Sequence, residues 1–171
     1  IKFVCMKNEV KILDRDEISQ KILRLSWEIY ENNFEENEIF LFGVGEKGHL
    51  IAKKISENLI NISKIKVHVC QISFNREKPY EDISLSISSD KFAYKSLILV
   101  DDVLYSGKTL MYSSKVFLNS PIKKLSVLVL IDRNHNTYPI KANYVGLSLS
   151  TNLKEYIRVE LSGRNQGVYL S

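Results

Sequence analysis

Three apolar runs in this 171-residue chain stop abruptly at glycine or at charge, and that pattern constrains the fold more than any other feature. Ile39 to Phe42 breaks into Gly43-Val44-Gly45-Glu46-Lys47-Gly48. Leu97-Ile98-Leu99-Val100 ends in Asp101-Asp102, and Leu125 to Ile131, the most apolar stretch of the chain, ends in Asp132-Arg133. Apolar runs without alternation are the signature of strands buried on both faces. Helical spacing follows the first run at Ile51, Ile55 and Leu59, and the second run is followed by a predicted helix to about Asn119 that Pro121 closes. Asp14, with Glu17 three residues later, has the form of a capping box. It opens an amphipathic helix over about 15–33 on Ile18, Ile22, Leu25 and Ile29. The segment from Ile65 to Ile72 alternates as a strand, whereas Ser73 to Lys95 shows no steady period and is expected to be irregular. Strands alternating with helices predict an α/β fold with a mostly parallel central sheet flanked by helices. Ligands of such sheets bind beyond the carboxyl ends of the strands, so the three strand ends are expected to share one crevice.

Composition narrows the class. No repeat, low-complexity tract or Pro/Ser-rich linker interrupts residues 1–171, which are read as a single domain. A domain of this size hides roughly 70% of the surface of its unfolded chain, enough for a core without disulfides or a structural metal. Cys5 and Cys70 have neither paired-ligand spacing nor a disulfide framework around them, and are read as reduced thiols of a cytoplasmic protein. No apolar run nears the ~20 residues of a membrane span, and no basic-then-apolar signal pattern is present. Membrane and secreted classes are therefore set aside. Charge is uneven: residues 1–90 carry 13 basic and 15 acidic groups, a balance of −2, whereas residues 91–171 carry 11 and 5, a balance of +6. The second half is the better candidate for meeting an anion, either a phosphorylated small molecule or a nucleic acid.

Two motifs carry chemistry. Gly43-x-Gly45-x-x-Gly48 fits the dinucleotide fingerprint, yet the acid that should end the next strand is missing around Val69 to Ser73. What survives is a phosphate-cradling turn or a tight strand-to-helix junction without ligand. Gly107-Lys108-Thr109 has the ending of a Walker loop, but Asp102 stands where that loop needs glycine, and bare carboxylates there would repel a triphosphate. The remainder is two acids at the end of a buried strand, then a Ser-Gly-Lys-Thr turn opening a helix. Helix-start N–H groups with the Ser106 and Thr109 hydroxyls suit one phosphate monoester, and the carboxylates suit sugar hydroxyls and Mg²⁺. A sugar phosphate satisfies both ends.

Leu99-Val100-Asp101-Asp102-Val103-Leu104-Tyr105-Ser106-Gly107-Lys108-Thr109 resembles the 5-phosphoribosyl-1-diphosphate (PRPP) signature of the type I phosphoribosyltransferases. Its Asp-Asp-Val-Leu-Tyr form is most similar to the PyrR group, pyrimidine-operon attenuators that are also uracil phosphoribosyltransferases. Val129 to His135, Tyr138 to Gly146, and Lys11-Ile12-Leu13-Asp14 resemble the same group. The resemblance implies a type I phosphoribosyltransferase fold with a small hood region. It implies transfer of a phosphoribosyl group from Mg²⁺-bound PRPP to a nucleobase, uracil or a purine, in nucleotide salvage. By the same analogy Asp101 and Asp102 contact the ribose and the metal. The 106–109 loop (Ser106, Gly107, Lys108, Thr109) holds the 5′-phosphate, with Val103, Leu104 and Tyr105 also among the substrate-binding residues. The 43–48 loop holds the pyrophosphate, with Gly45 and Glu46 as contacts and Lys47 as its charged member. Arg76 belongs to a loop that closes over PRPP, Asp132 and Arg133 lie at metal or pyrophosphate contacts and the edge of the base pocket, and Tyr156 packs against the base or in the core.

The chain also departs from that group. Where a Lys and an Arg are usual in the pyrophosphate loop, it has Gly45 and Lys47, which removes one charge and turns a guanidinium into a point charge. The closing loop is shorter, and Ser162 replaces an acid after Val159-Glu160-Leu161. The group's RNA-contacting surface uses polar and basic groups on the first helix and after the Asp-Arg pair, where this chain instead has Trp27, Asn136 and Lys141. RNA is the second expected partner on the +6 balance of residues 91–171 and the altered pyrophosphate residues, through a regulator in which catalysis has faded. Trp27 is read as a core or dimer-contact residue and His135 as a turn or surface residue. A homodimer or higher homo-oligomer is expected from the resemblance.

Overall fold

The computed structural model describes residues 9–74, 78, 83–150 and 155–171. Six strands form one sheet in the order β4-β3-β2-β5-β6-β7, built from β2 (Glu38–Val44), β3 (Lys66–Phe74), β4 (Ile83–Leu85), β5 (Ser96–Leu104), β6 (Lys124–Asp132) and β7 (Tyr144–Ser148). All neighbours are parallel except β3 and β4. A second, antiparallel sheet joins β1 (Val10–Leu13), β9 (Gly167–Leu170) and β8 (Ile157–Glu160) in the order β1-β9-β8, and is the small hood.

The uniformly apolar strands are central, as continuous burial requires: β2, β5 and β6 are buried along most of their length. On one face Ile39, Leu41, Ile98, Val100, Leu128 and Leu130 pack with Ile18, Ile22, Leu25 and Ile29 of α1 (Arg15–Glu31) and Ile51, Ile55 and Leu59 of α2 (Gly45–Ile62). The same cluster takes in Leu13, Ile157, Val159, Leu161 and Val168, tying the hood to the core. On the other face Phe42 meets Phe92 and Phe117 edge-on, with ring centroids 5.4 and 4.7 Å away. The expected capping box is present: the Glu17 amide donates to Asp14 Oδ1 and the Asp14 amide to Glu17 Oε2, both at 2.8 Å.

Three local expectations are corrected. The irregular stretch contains β4 and a 3₁₀ turn at Ser89–Phe92, whose Phe92 is fully buried; three-residue elements carry no readable period. The helix expected to reach Asn119 is α3 (Lys108–Ser114), which gives way to a 3₁₀ turn at Lys115–Phe117. Ser114 Oγ donates to the Met111 carbonyl at 2.7 Å, a side-chain bond that competes with helix continuation. Finally, no loop separates β2 from α2: the strand ends at Val44 and the helix starts at Gly45, where φ is +62°. No helix among the described residues is long and apolar enough to cross a membrane.

Candidate active site

Strand register assembles the site. Gly43 pairs with Val100, so the first turn of α2 and the acidic end of β5 emerge side by side. Leu104 pairs with Asp132, which puts the end of β6 beside the turn after β5. Between these ends lies a cavity of about 340 Å³ lined by Val44, Lys47, Phe74, Asp101, Asp102, Val103, Tyr105, Thr109, Tyr156 and Ile157. A smaller cleft of about 70 Å³ adjoins it along Asp101 and residues 103–110.

The approach of α2 to the sheet explains two of the fingerprint glycines. A Cβ on Gly43 would stand 2.3 Å from His49 Cα, and one on Gly48 2.3 Å from the Val100 carbonyl oxygen. The helix therefore starts hard against the strands. Val44, at its N-cap, makes no side-chain cap bond, so the first-turn amides are left for another acceptor. Lys47, in that turn, reaches to 3.8 Å from Asp102 Oδ2.

The acids differ. Asp101 is buried, 8% exposed, and its Oδ1 accepts from the Asp102 amide at 2.9 Å, whereas the Asp102 side chain is 22% exposed to the cavity. In the following turn the Ser106 carbonyl accepts from the Thr137 and Tyr138 amides, both at 3.0 Å, and Ser106 Oγ from the Lys108 amide at 3.3 Å. Gly107 holds φ at +83°, a conformation that side chains with a Cβ resist. Tyr105 turns the other way: its hydroxyl donates to the Ile157 carbonyl at 2.9 Å and accepts from the Ile157 amide at 2.7 Å. Burial raises the Tyr105 phenol above its ordinary value, with the bond to the Ile157 backbone opposing the shift.

The structure brings Lys47, Asp101, Asp102, Val103, Tyr105, Thr109 and Tyr156 around one cavity, and Leu104, Ser106, Gly107 and Lys108 around the adjoining cleft. Tyr156 is 57% exposed and stacks near Tyr105 at 5.8 Å, which removes the core alternative for it. Gly45, Glu46, Asp132 and Arg133 do not line the cavity. Gly45 and Glu46 open α2, and Asp132 Oδ1 accepts from the Asn134 amide at 2.8 Å. Arg133 is buried, with its guanidinium carbon 4.5 Å from the Tyr105 ring centroid. Arg76 and Cys5 lie outside the described residues; Cys70 is a buried free thiol. Trp27 is 47% exposed rather than core, edge-on to Tyr30, and Ser162 is exposed after the hood strand. Sequence reasoning missed Val44, Phe74 and Ile157. Phe74 ends β3 and Val44 ends β2, a position that strand-end reasoning could have found, but nothing local marks Ile157.

The donor set suits Mg²⁺. That ion is usually held by one or two carboxylates completed by substrate oxygens and water rather than by an all-protein cage. Asp101 and Asp102 would supply the carboxylates, and no group of three or more His, Cys, Asp or Glu side chains suited to a metal occurs among the described residues.

Comparison with known proteins agrees with this geometry. Residues 10–161 match the phosphoribosyl transferase domain. The chain is 38% identical over 168 residues to the Bifunctional protein PyrR of Clostridium kluyveri, covering 92% of this chain and 93% of that one. It is 32% identical to the protein of the same name from Fusobacterium nucleatum, covering 96% and 100%. Among solved structures it is similar to a hypoxanthine phosphoribosyltransferase of Trypanosoma cruzi, with a TM-score of 0.77, 14% identity and 94% of each chain covered. It is also similar to a hypoxanthine-guanine phosphoribosyltransferase of Bacillus anthracis, with a TM-score of 0.74, 22% identity, and 95% and 98% covered. With the acidic strand end, the 106–109 turn and the hood in one crevice, and with a domain match over most of its length, the chain belongs to the type I phosphoribosyltransferase family.

Proposed function

We propose that this phosphoribosyltransferase joins a nucleobase, uracil or a purine, to the anomeric carbon of PRPP and releases pyrophosphate, in nucleotide salvage. The observation that carries the reading is the placement of Asp101, Asp102, Lys47 and Thr109 around a single cavity beside the 106–109 turn. In this reading the turn binds the 5′-phosphate through its amides and the Ser106 and Thr109 hydroxyls. Asp101 and Asp102 bind the ribose hydroxyls and would hold Mg²⁺, which when bound neutralises charge on the pyrophosphate oxygens. A ring nitrogen of the base forms the new bond to the anomeric carbon as the carbon–oxygen bond to pyrophosphate breaks, the electron pair leaves with that oxygen, and the proton lost by the base passes to water or to the released pyrophosphate. Positive charge builds on the ribose ring, where the two carboxylates favour it. Lys47 and the open amides at the start of α2 receive the leaving pyrophosphate. Arg76 is assigned to closure over PRPP, which would keep water from the ribosyl cation. Tyr156 supplies a face for the base.

The test is PRPP-dependent release of pyrophosphate with uracil, hypoxanthine, guanine, xanthine and adenine in turn. Turnover with at least one base, lowered by about 10²–10³ in Asp102→Asn, is expected. Silence across the panel, with Asp101→Asn indistinguishable from wild type in PRPP binding, overturns the reading.

A second reading rests on the exposed Trp27 and on the +6 balance of residues 91–171: a PRPP- or nucleotide-sensing regulator that binds RNA. Asn136 and Lys141 are also exposed, and the Asn136 side-chain amide donates to the Ile140 carbonyl at 2.7 Å. RNA binding driven by phosphate contacts weakens steeply with salt, so filter binding at two ionic strengths decides, and no binding at low salt removes it. A cytoplasmic homodimer or higher oligomer completes the proposal, with sedimentation equilibrium as its check.

A further inference from the structure

The proposed site has two walls of different origin. The phosphate turn belongs to the main sheet, at the end of β5, and the wall bearing Tyr156 and Ile157 belongs to the hood, at the start of β8. Tyr105 joins them. Its phenol oxygen exchanges two hydrogen bonds with the backbone of one hood residue, Ile157, at 2.7 and 2.9 Å, the reciprocal pattern that two paired strands would share. Its ring stacks near Tyr156, at 5.8 Å and 26°, and lies 4.5 Å from the Arg133 guanidinium carbon. The next residue along the turn, Ser106, is fixed in turn by Thr137 and Tyr138. On the hood side the Tyr156 backbone pairs with Ser171 in both directions, at 2.8 and 3.0 Å. A shift of the turn is therefore carried to the hood through the Tyr105 phenol, beside the apolar packing that ties the hood to the core.

We propose that Tyr105 is a positioning residue that couples occupation of the phosphate turn to the shape of the base-side wall, so that phosphoribosyl binding sets the hood before the base arrives. The inference rests on the reading above, that a phosphoribosyl group occupies the turn and the base lies against Tyr156. A phenol suits the task because it both donates and accepts, and because a rigid ring moves with its backbone. Phenylalanine keeps the ring and its stacking but loses both bonds to Ile157. A ligand can shift the hood only by the difference in its affinity for the two arrangements, and the coupling is reciprocal.

Hydrogen exchange with ribose 5-phosphate as the probe tests this without turnover. In the wild type, saturating ribose 5-phosphate is expected to slow exchange both in residues 105–109 and in residues 156–160, the latter by about tenfold, the scale of one net hydrogen bond. In Tyr105→Phe the turn is still protected and the hood is not. In steady-state assays the KM for the base rises about tenfold. Protection of the turn without the hood in the wild type overturns the inference alone, as does hood protection that survives in Tyr105→Phe. Protection at neither place overturns the functional reading and this inference with it.

Discussion

Lys47 and Asp102, from the first turn of α2 and the end of β5, face each other with Nζ 3.8 Å from Oδ2 in the cavity that both line. Each is partly exposed, so their attraction is screened and contributes little to stability. Lys47→Met keeps the stem and removes the charge. Its unfolding free energy is expected to stay within about 1 kcal/mol of wild type. Affinity for pyrophosphate should fall roughly ten- to a hundredfold, the scale of one charged hydrogen bond, as titration calorimetry would read. A large loss of stability with unchanged pyrophosphate affinity would assign Lys47 to the fold instead.

Gly48 makes the opposite prediction. Its position leaves a new Cβ only 2.3 Å from the backbone oxygen of Val100, which cannot swing away as a side chain can. Gly48→Ala should push α2 off the sheet and cost about 1–3 kcal/mol in urea unfolding, with PRPP binding weakened as the helix start retreats from the cavity.

At Gly107 the constraint is both conformational and steric: φ is +83°, and a Cβ would meet Ile140 Cγ2 at 2.5 Å. Gly107→Ala is expected to cost about 1–2 kcal/mol and to weaken phosphate binding more than it weakens the fold. Parallel unfolding and ribose 5-phosphate titrations check the ordering of the two effects.

Away from the site, Lys95 and then His68 hold the Glu38 carboxyl below its ordinary range by hydrogen bonding, and Lys123 does the same to Glu36. Because the folded values are depressed, the contribution is present above the unfolded value of about 4.3 and is lost as pH falls through the folded value. Glu38→Gln should cost under about 1 kcal/mol at neutral pH. The gap from wild type should close in acid, and unfolding followed from pH 7 to pH 2 would show it as a flatter acid limb.

The strand ends were legible because burial and charge meet there within a few residues: Val100 beside Asp101, Ile131 beside Asp132. Gly43 and Gly48 were legible as special positions, yet their reason was not. A sequence suggests glycines that approach a phosphate, whereas the contacts in the fold are with His49 and the Val100 carbonyl. Asp132 and Arg133 looked like site residues by the same strand-end logic. Neither is among the residues that line the cavity: Asp132 accepts from the Asn134 amide, and Arg133 lies over the ring of Tyr105. Ile157 was illegible for a deeper reason. It serves through its backbone, and any residue type but proline has the N–H that Tyr105 needs.

The pairing of β1 with β9 joins residues near the two extremes of the described chain, with Val10 opposite Leu170 and Leu13 opposite Val168. Closing so long a loop is rewarded only when nearly all of the chain is in place, whereas β2 with β3 through α2, and β5 with β6 through α3, pair over much shorter separations. The hood is thus expected to form last and to reopen first. The wall proposed to meet the base is therefore expected to open more readily than the end of β5 that carries the two acids.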